Sequence, residues 1–196
     1  WHCWAKKSIK RGRRPLVAWN FWNRNDDRRP VSQMTTSPAQ YVIDASVLIA
    51  KAHPLEPHHT EADVFLNMVR EKRWIGRSPN IVLAEVAAGI ARGTGQPALA
   101  LQVVALLQRL PDLEFVEIDG HLAQTAAQLA ATSMIRGCDA VYVALAQMCG
   151  ATLISLDKQQ RTRAPSFVAA RTPAEALSRL NQLADHESEW NPHPDS

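Results

Sequence analysis

Four apolar segments of the chain each end at, or are interrupted by, a single acidic residue. These residues are Asp44, Glu85, Asp139 and Asp157. Burying a carboxylate among apolar side chains is costly unless it is paired or bound to a cation. Because the pattern occurs four times, we infer that the acids share one purpose. The simplest one is to hold a divalent cation through oxygen atoms.

The length and the order of segments predict one α/β domain. A chain of 196 residues is long enough to bury a substantial core. Strand-like apolar runs alternate with helix-like segments, a pattern typical of a parallel sheet covered by helices. The three cysteines are not spaced like metal ligands or a disulfide framework, which fits a reducing cytoplasm. No uncharged apolar stretch reaches the roughly 20 residues that span a bilayer, so we expect a soluble, cytoplasmic protein with no membrane partner.

Basic residues are concentrated in the first forty positions. Residues 1–40 contain nine Lys or Arg and two Asp, a net charge of +7, whereas the remainder contains 13 bases and 17 acids, a net charge of −4. Bulk charge therefore gives the main body no support for nucleic-acid binding. Any such activity there must rely on individual basic residues and on a bound cation.

The first forty residues also hold four of the six tryptophans and show no apolar periodicity. We interpret residues 1–40 as a basic, Trp-rich extension, disordered or introduced by cloning, with Met34 as a plausible native start. The alternative is a basic arm that contacts RNA or a membrane surface. We expect the folded domain to span 41–184 and a flexible polar tail to span 185–196.

Apolar periodicity and turn residues predict the order of strands and helices. Strands are expected at 41–44, 74–75, 114–118, 152–156 and 167–169. Helices are expected at about 47–52, 60–70, 78–92, 97–110, 121–135, 139–149 and 173–183. Ser78 and Pro79 look like an N-cap followed by a proline at the first helical position.

The four acids are expected to meet at one edge of the sheet. Asp44 and Asp157 each follow a predicted strand, and parallel sheets bind ligands beyond the carboxyl ends of their strands. Asp139 lies at the start of a helix, where the helix dipole favours a carboxylate. Glu85 is placed on the second turn of its helix. Taken singly, Asp139 is equally plausible as an N-cap and Asp157 as a turn residue.

Four converging carboxylates would repel one another, so the pattern calls for a cation. An all-oxygen ligand set indicates Mg²⁺ or Mn²⁺ rather than Zn²⁺. Such an ion can activate water and stabilise charge on a phosphate under in-line attack. Ser46 and Ser155, each two residues from an acid, are candidates to hold a water or orient a carboxylate. Their alternative role is ordinary hydrogen bonding at strand ends.

Four motifs surround the acids: V-I-D-A-S at 42–46, L-A-E-V at 83–86, G-C-D-A-V-Y-V-A-L-A at 137–146 and L-I-S-L-D at 153–157. In this order they resemble the motifs of PIN-domain ribonucleases, and most closely those of the short VapC-type toxins of type II toxin–antitoxin systems. The resemblance covers about residues 41–175. It implies a three-layer α/β/α fold with a central parallel sheet, a homodimer, Mg²⁺- or Mn²⁺-dependent RNA cleavage, and inhibition by a cognate VapB-type antitoxin.

The resemblance also implies roles for individual residues. Asp44, Glu85, Asp139 and Asp157 take the places of the metal-binding catalytic acids. Ser155 stands where the family has Thr or Ser. The basic extension departs from the compact family pattern and bears on the domain boundary, not on the chemistry.

Several basic residues near the acids are candidate contacts to RNA phosphates. They are Lys158, Arg161, Arg163, Arg92 and Arg136. Their alternative is a solvated charge at a loop or helix end. A histidine cluster at 53, 58 and 59 is not interpreted as a metal site, because the prolines between its members prevent a fixed ligand geometry. Trp74 and Trp190 are candidates to stack on a base, although isolated tryptophans more often pack.

Two other functions remain open at this point. A phosphatase of the haloacid-dehalogenase type also begins with an Asp after a strand, but it needs a second Asp two residues later, where this chain has Ser46. A non-catalytic PIN-like scaffold that binds RNA or protein is the other alternative. The presence of all four acids argues against the scaffold.

Overall fold

A computed structural model describes residues 40–190. Apart from Gln40, the predicted N-terminal extension lies outside the described residues, and so do residues 191–196 of the predicted tail.

Five strands form one sheet, and all of its pairings are parallel. They are β1 (Gln40–Ile43), β2 (Ile75–Pro79), β3 (Leu113–Val116), β4 (Thr152–Ile154) and β5 (Ala170–Arg171). The order across the sheet is β3-β2-β1-β4-β5. The chain thus builds outward from β1 to β3 and then adds β4 and β5 on the other side, so strand order reverses between β1 and β4.

Helices flank this sheet and complete a three-layer α/β/α arrangement, which confirms the predicted fold class. They are α1 (Ala45–Ala52), α2 (His59–Glu71), α3 (Val82–Thr94), α4 (Pro97–Leu107), α5 (Gly120–Ser133), α6 (Gly137–Cys149), α7 (Lys158–Arg163) and α8 (Pro173–Trp190). A 3₁₀ turn covers Ala164–Ser166. Within residues 40–190 no single helix is long and apolar enough to cross a bilayer; the consecutive pair α5 and α6 reaches that length together but is bent by 115°.

The core centres on the adjacent strands β1 and β4 and on helix α6. Val42, Ile43, Leu153 and Ile154 are at most 1% exposed, as expected for central strands of a parallel sheet that is covered on both faces. The stretch 142–146 of α6 is buried at every position. Because this helix has apolar contacts all around, its sequence shows no amphipathic period.

The predicted helix start at Ser78 and Pro79 is wrong. Both residues belong to β2, where they pair with β3, and α3 begins at Val82. The buried Ser78 hydroxyl donates to the carbonyl oxygen of Ile43 at 2.6 Å instead of capping a helix. The registered pairing of β2 with β1 ends at Arg77, so a proline at position 79 removes no hydrogen bond on that side.

The C-terminal part also differs from the expectation. Helix α7 was not predicted, the strand expected at 167–169 lies instead at 170–171, and β4 ends at Ile154 rather than at residue 156. The side chain of Asp157 caps α7, and this capping interaction ends the extended segment early. Helix α8 continues through Trp190, beyond its predicted end at residue 183.

Candidate active site

Asp44 lies at the point where strand order reverses. Its backbone N–H donates to the carbonyl oxygen of Ile154 in β4 at 2.9 Å, and its side chain caps α1. The Oδ2 atom accepts hydrogen bonds from the Ser46 backbone N–H at 2.9 Å and from the Ser46 hydroxyl at 2.5 Å. The carboxylate is thus held at the carboxyl end of β1, with 7% of the residue exposed.

Two serines fix the turn that follows β4. The Ser46 hydroxyl oxygen accepts from the Leu156 backbone N–H at 3.0 Å and so ties α1 to this turn. The buried Ser155 hydroxyl oxygen accepts from the Asp157 backbone N–H at 3.0 Å. Ser46 orients the Asp44 carboxylate directly, and Ser155 orients the backbone that carries Asp157.

The Asp157 carboxylate accepts three hydrogen bonds from backbone and side-chain donors. Its Oδ1 atom accepts from the backbone N–H groups of Gln159 at 2.8 Å and Gln160 at 3.1 Å. Its Oδ2 atom accepts from Arg136 Nη2 at 2.6 Å. Burial by itself raises the pKa of Asp157, but these backbone donors and the guanidinium outweigh it and hold that pKa below its usual value.

Asp139 lies in the first turn of α6, which begins at Gly137 with Arg136 in the N-cap position. The alternative role of Asp139 as the N-cap is therefore wrong. Its Oδ2 atom accepts from Arg136 Nε at 2.6 Å. Burial raises the pKa of Asp139; Arg136 lowers it, and the charges of Asp157 and Asp44 raise it further, for a net upward shift.

Glu85 reaches the same group of acids from α3. It lies in the first turn of that helix, not in the second as predicted, because the helix begins at Val82. The buried Tyr142 hydroxyl donates to Glu85 Oε2 at 2.5 Å. Burial raises the pKa of Glu85, the Tyr142 hydrogen bond opposes this, and the charges of Asp44 and Asp139 add to the upward shift.

Gln160 is a site residue that the sequence did not indicate. Its side chain is fully buried, and Nε2 donates to the Asp139 carbonyl oxygen at 3.3 Å and to Asp44 Oδ1 at 3.5 Å. Its Oε1 atom is buried without a hydrogen-bond partner among the described residues. Tyr142 was also missed, although it follows Asp139 by three residues and so shares a face of α6.

The acids form one electrostatic group. The charge of Asp44 acts on both Glu85 and Asp139, and Asp157 acts on Asp44 and Asp139. Burial, together with the charge of Asp157, raises the pKa of Asp44 despite its hydrogen bonds from Ser46. The single guanidinium of Arg136 lies between two of these acids, so the site carries excess negative charge.

The donor set fits a hard divalent cation in chemical type. Carboxylate oxygens are the ligands that Mg²⁺ and Mn²⁺ prefer, and three of the four acids have raised pKa values that an added cation would relieve. As placed, no group of three or more His, Cys, Asp or Glu among residues 40–190 is arranged to hold a metal ion. In this structure the positive charge of Arg136 balances part of the negative charge, through its ion pairs with Asp139 and Asp157.

Comparison with known proteins identifies the fold family. Residues 41–164 match the family model of the PIN domain. The chain belongs to the PIN-domain family. This confirms the resemblance carried by the four motifs. No curated protein sequence matches the chain at a significant level.

Solved structures share the fold of this PIN domain at low sequence identity. VapBC2 from Rickettsia felis bound to a promoter DNA fragment matches with a TM-score of 0.51 and 16% identity, covering 68% of this chain and 98% of that chain. The VapC20 toxin of Mycobacterium tuberculosis, described as cleaving the sarcin–ricin loop, matches with a TM-score of 0.52 and 16% identity, covering 62% and 93%. DNA-bound VapBC from Salmonella typhimurium matches with a TM-score of 0.51 and 18% identity, covering 69% and 98%.

The basic residues predicted near the acids of the PIN domain have different surroundings. Lys158 and Arg92 are exposed. Arg161 Nη1 donates to the Ser155 carbonyl oxygen at 3.1 Å, and Arg163 donates to the Met134 carbonyl oxygen. Arg136, predicted as a phosphate contact, pairs with Asp139 and Asp157.

The histidines at the start of α2 make local polar contacts, and Trp74 packs against a neighbouring ring. His58 Nδ1 lies 2.7 Å from Glu61 Oε2, and His59 Nδ1 lies 3.0 Å from the Ala50 carbonyl oxygen. The ring of Trp74 packs against Tyr41, with ring centroids 5.7 Å apart. Trp74 thus makes the packing contact that was its alternative role.

Proposed function

We propose that this PIN-domain protein is an Mg²⁺- or Mn²⁺-dependent endoribonuclease, the toxin of a VapBC-type pair. The observation that supports the proposal is the mutual electrostatic influence of Asp44, Glu85, Asp139 and Asp157 near the point where strand order reverses. Bulk charge does not favour RNA there, because the main body is acidic. A cation at the acids is therefore the feature that would bring a phosphodiester to them.

In this proposal the four acids hold the cation, which when bound supplies water activation and stabilises charge on the phosphate. The protein contributes the orientation of the ligands. Ser46 fixes the Asp44 carboxylate, Ser155 fixes the backbone of Asp157, and the Tyr142 hydroxyl fixes Glu85. Rigid support of this kind keeps the oxygen atoms in place before substrate arrives.

The RNA backbone would run along the edge of the sheet beside α7. Lys158 directly follows Asp157 and is exposed, so its ammonium can reach a phosphate next to the acids. Arg161 is held at the same edge by the Ser155 carbonyl and is partly exposed. These two residues give the proposed binding its dependence on salt.

The partner in this proposal is a VapB-type antitoxin, and the protein acts in the cytoplasm as a homodimer. Two of the similar structures are VapBC complexes bound to DNA, and a third is a VapC toxin. These similarities support a toxin role for this PIN domain over the other functions that PIN domains can have.

Induced expression and RNA cleavage test the proposal. Wild type, Asp139→Asn and the exposed-carboxylate control Glu117→Gln are compared for growth, total cellular RNA and cleavage by purified protein with Mn²⁺ or Mg²⁺. Wild type and the control should arrest growth and produce discrete RNA fragments. Asp139→Asn should lose at least about a hundredfold in cleavage rate, because it removes a ligand rather than an outer support. Cleavage at the wild-type rate by folded Asp139→Asn contradicts the assignment.

A non-catalytic PIN scaffold that binds RNA or protein is the second candidate. The observation that favours it is the ion pairing of Arg136 with Asp139 and Asp157, which places a permanent cation among the acids. RNA binding without cleavage at any Mn²⁺ or Mg²⁺ concentration would support the scaffold.

A further inference from the structure

A cavity of about 160 Å³ adjoins the acids of the candidate active site. Ser46 and Asp157 line both the cavity and the site. A substrate whose phosphate lies at the acids would therefore place an adjoining group at this cavity. The cavity is therefore placed to contact RNA beside the bond that the proposed nuclease would cut.

The cavity has apolar walls made by Ile49, Ala50 and Leu156. Ala50 is buried, and the other two side chains are partly exposed. Such walls make van der Waals contact with a flat, uncharged ring, but they provide no donor or positive charge for a phosphate. Bases of single-stranded RNA can be turned out of the stack and bound in pockets of this kind.

The polar part of the cavity is built from a rigid turn. Glu56 lines the cavity between Pro54 and Pro57, which restrict the backbone on both sides. The Glu56 N–H donates to the His53 carbonyl oxygen at 2.9 Å, and the Glu56 carbonyl accepts from the His59 N–H at 3.1 Å. The carboxylate of Glu56 is thus presented from a defined backbone position.

The charges around the cavity select against a phosphate. Its lining includes the carboxylates of Glu56 and Asp157 and no Lys or Arg. Two other polar residues line it: the Ser46 hydroxyl bonds to Asp44 and to the Leu156 N–H, and His58 lies 2.7 Å from Glu61 through Nδ1. A carboxylate is an acceptor only, so its partner must be an N–H or O–H donor.

We propose that this cavity binds the nucleobase beside the cleaved phosphodiester, and that Glu56 accepts hydrogen bonds from the base edge. The inference rests on the proposed ribonuclease function. Guanine is the best match, because its N1–H and N2 amino donors lie side by side and can meet both oxygens of one carboxylate. Uracil presents a single N3–H donor flanked by two carbonyl oxygens, which a carboxylate repels. Glu56 is therefore a specificity-determining residue for guanosine.

Cleavage of an RNA with randomised sequence tests the specificity directly. Wild type, Glu56→Gln and the control Glu71→Gln, an exposed carboxylate at the end of α2, are compared by sequencing the cut ends. Wild type and the control should favour guanosine over uridine about tenfold at one position beside the cut, the discrimination of a good bidentate contact. Glu56→Gln should lose that preference. The same guanosine enrichment in Glu56→Gln overturns the inference.

A binding measurement separates failure of the inference from failure of the proposed function. Asp139→Asn protein, with and without Glu56→Gln, is titrated with fluorescent RNA tetranucleotides UUGU and UUUU. UUGU should bind about tenfold more tightly to Asp139→Asn alone, and the two probes should bind equally once Glu56 is replaced. Equal affinity of both probes for Asp139→Asn overturns the inference even if the wild type cleaves RNA. A Glu56-dependent preference in a protein that never cleaves RNA supports the cavity and rejects the nuclease.

Discussion

The Nη2 atom of Arg136 lies 2.6 Å from the Oδ2 atom of Asp157. The same guanidinium donates through Nε to Asp139, also at 2.6 Å, so one side chain joins the start of α6 to the turn after β4. These contacts raise the pKa of Arg136 even though burial lowers it, and the charge is permanent. Arg136 therefore occupies the countercharge position that a divalent cation would take over.

Replacing Arg136 should strengthen cation binding. The Arg136→Gln protein should bind Mn²⁺ about tenfold more tightly in calorimetric titration, because a competing positive charge is removed. Without a cation, its free energy of unfolding should fall by about 1 kcal/mol, a modest cost because Arg136 is 40% exposed. The exposed Arg92→Gln serves as the control and should change neither value. Weaker Mn²⁺ binding by Arg136→Gln would refute the competition.

Cation binding at the acids should stabilise the folded protein. At a hundred times its dissociation constant, Mn²⁺ should add about 2.7 kcal/mol to the free energy of unfolding. Because the pKa values of Asp44, Glu85 and Asp139 are raised, protons compete for these oxygens and the stabilisation should shrink as pH falls. Thermal unfolding with and without Mn²⁺ measures the effect. Asp139→Asn should lose most of it and Glu117→Gln should keep it; an equal shift in both variants would place the cation elsewhere.

Asp44→Asn should stabilise the cation-free protein at neutral pH by about 1 kcal/mol. Burial raises the pKa of Asp44 in the folded state, so the stability linked to its proton is present at low pH and is lost as pH rises through that pKa. Asn is an equally good N-cap, and its amide can donate to Gln160 Oε1, which has no partner among the described residues, once the Gln160 amide turns over to bring Oε1 in place of Nε2.

Chemical unfolding of both proteins from neutral pH down to pH ~4, near the usual pKa of Asp, measures this difference. The advantage of Asp44→Asn should decrease as pH falls, because wild-type Asp44 becomes protonated and loses its charge penalty. A variant that is less stable than wild type at neutral pH would show that the Asp44 carboxylate supports the fold.

Ser78→Ala should destabilise the protein by about 1–3 kcal/mol. Ser78 is fully buried, and its hydroxyl donates to the Ile43 carbonyl oxygen at 2.6 Å, directly before Asp44. Its loss leaves that carbonyl without this donor and loosens the end of β1. Denaturant unfolding measures the cost, with the exposed Ser178→Ala as the control. A change no larger than that of the control would show that the hydrogen bond contributes nothing.

The places of Asp44, Asp139 and Asp157 at the ends of strands and helices were predictable for a local reason, whereas Glu85 was expected one turn later in its helix. Asp44 and Asp157 follow apolar strands, and Asp139 opens a helix, so each one's place along the chain set its place at the sheet edge. The helix start at Ser78 was predicted wrongly, because Ser followed by Pro suits a strand end as well as an N-cap. Contacts distant in the sequence distinguish these structures: Ser78 and Pro79 pair with β3, and the Ser78 hydroxyl bonds to Ile43, 35 residues away.

The sequence by itself determined the parallel α/β fold and indicated the candidate acids, because apolar periodicity and strand ends are local properties. Tertiary structure decided how those acids are paired and supported. Arg136 meets Asp157 across 21 residues, Tyr142 meets Glu85 across 57, and Gln160 meets Asp44 across 116. Such contacts depend on the order of the strands across the sheet and on how the helices pack against it. No local pattern specifies either one.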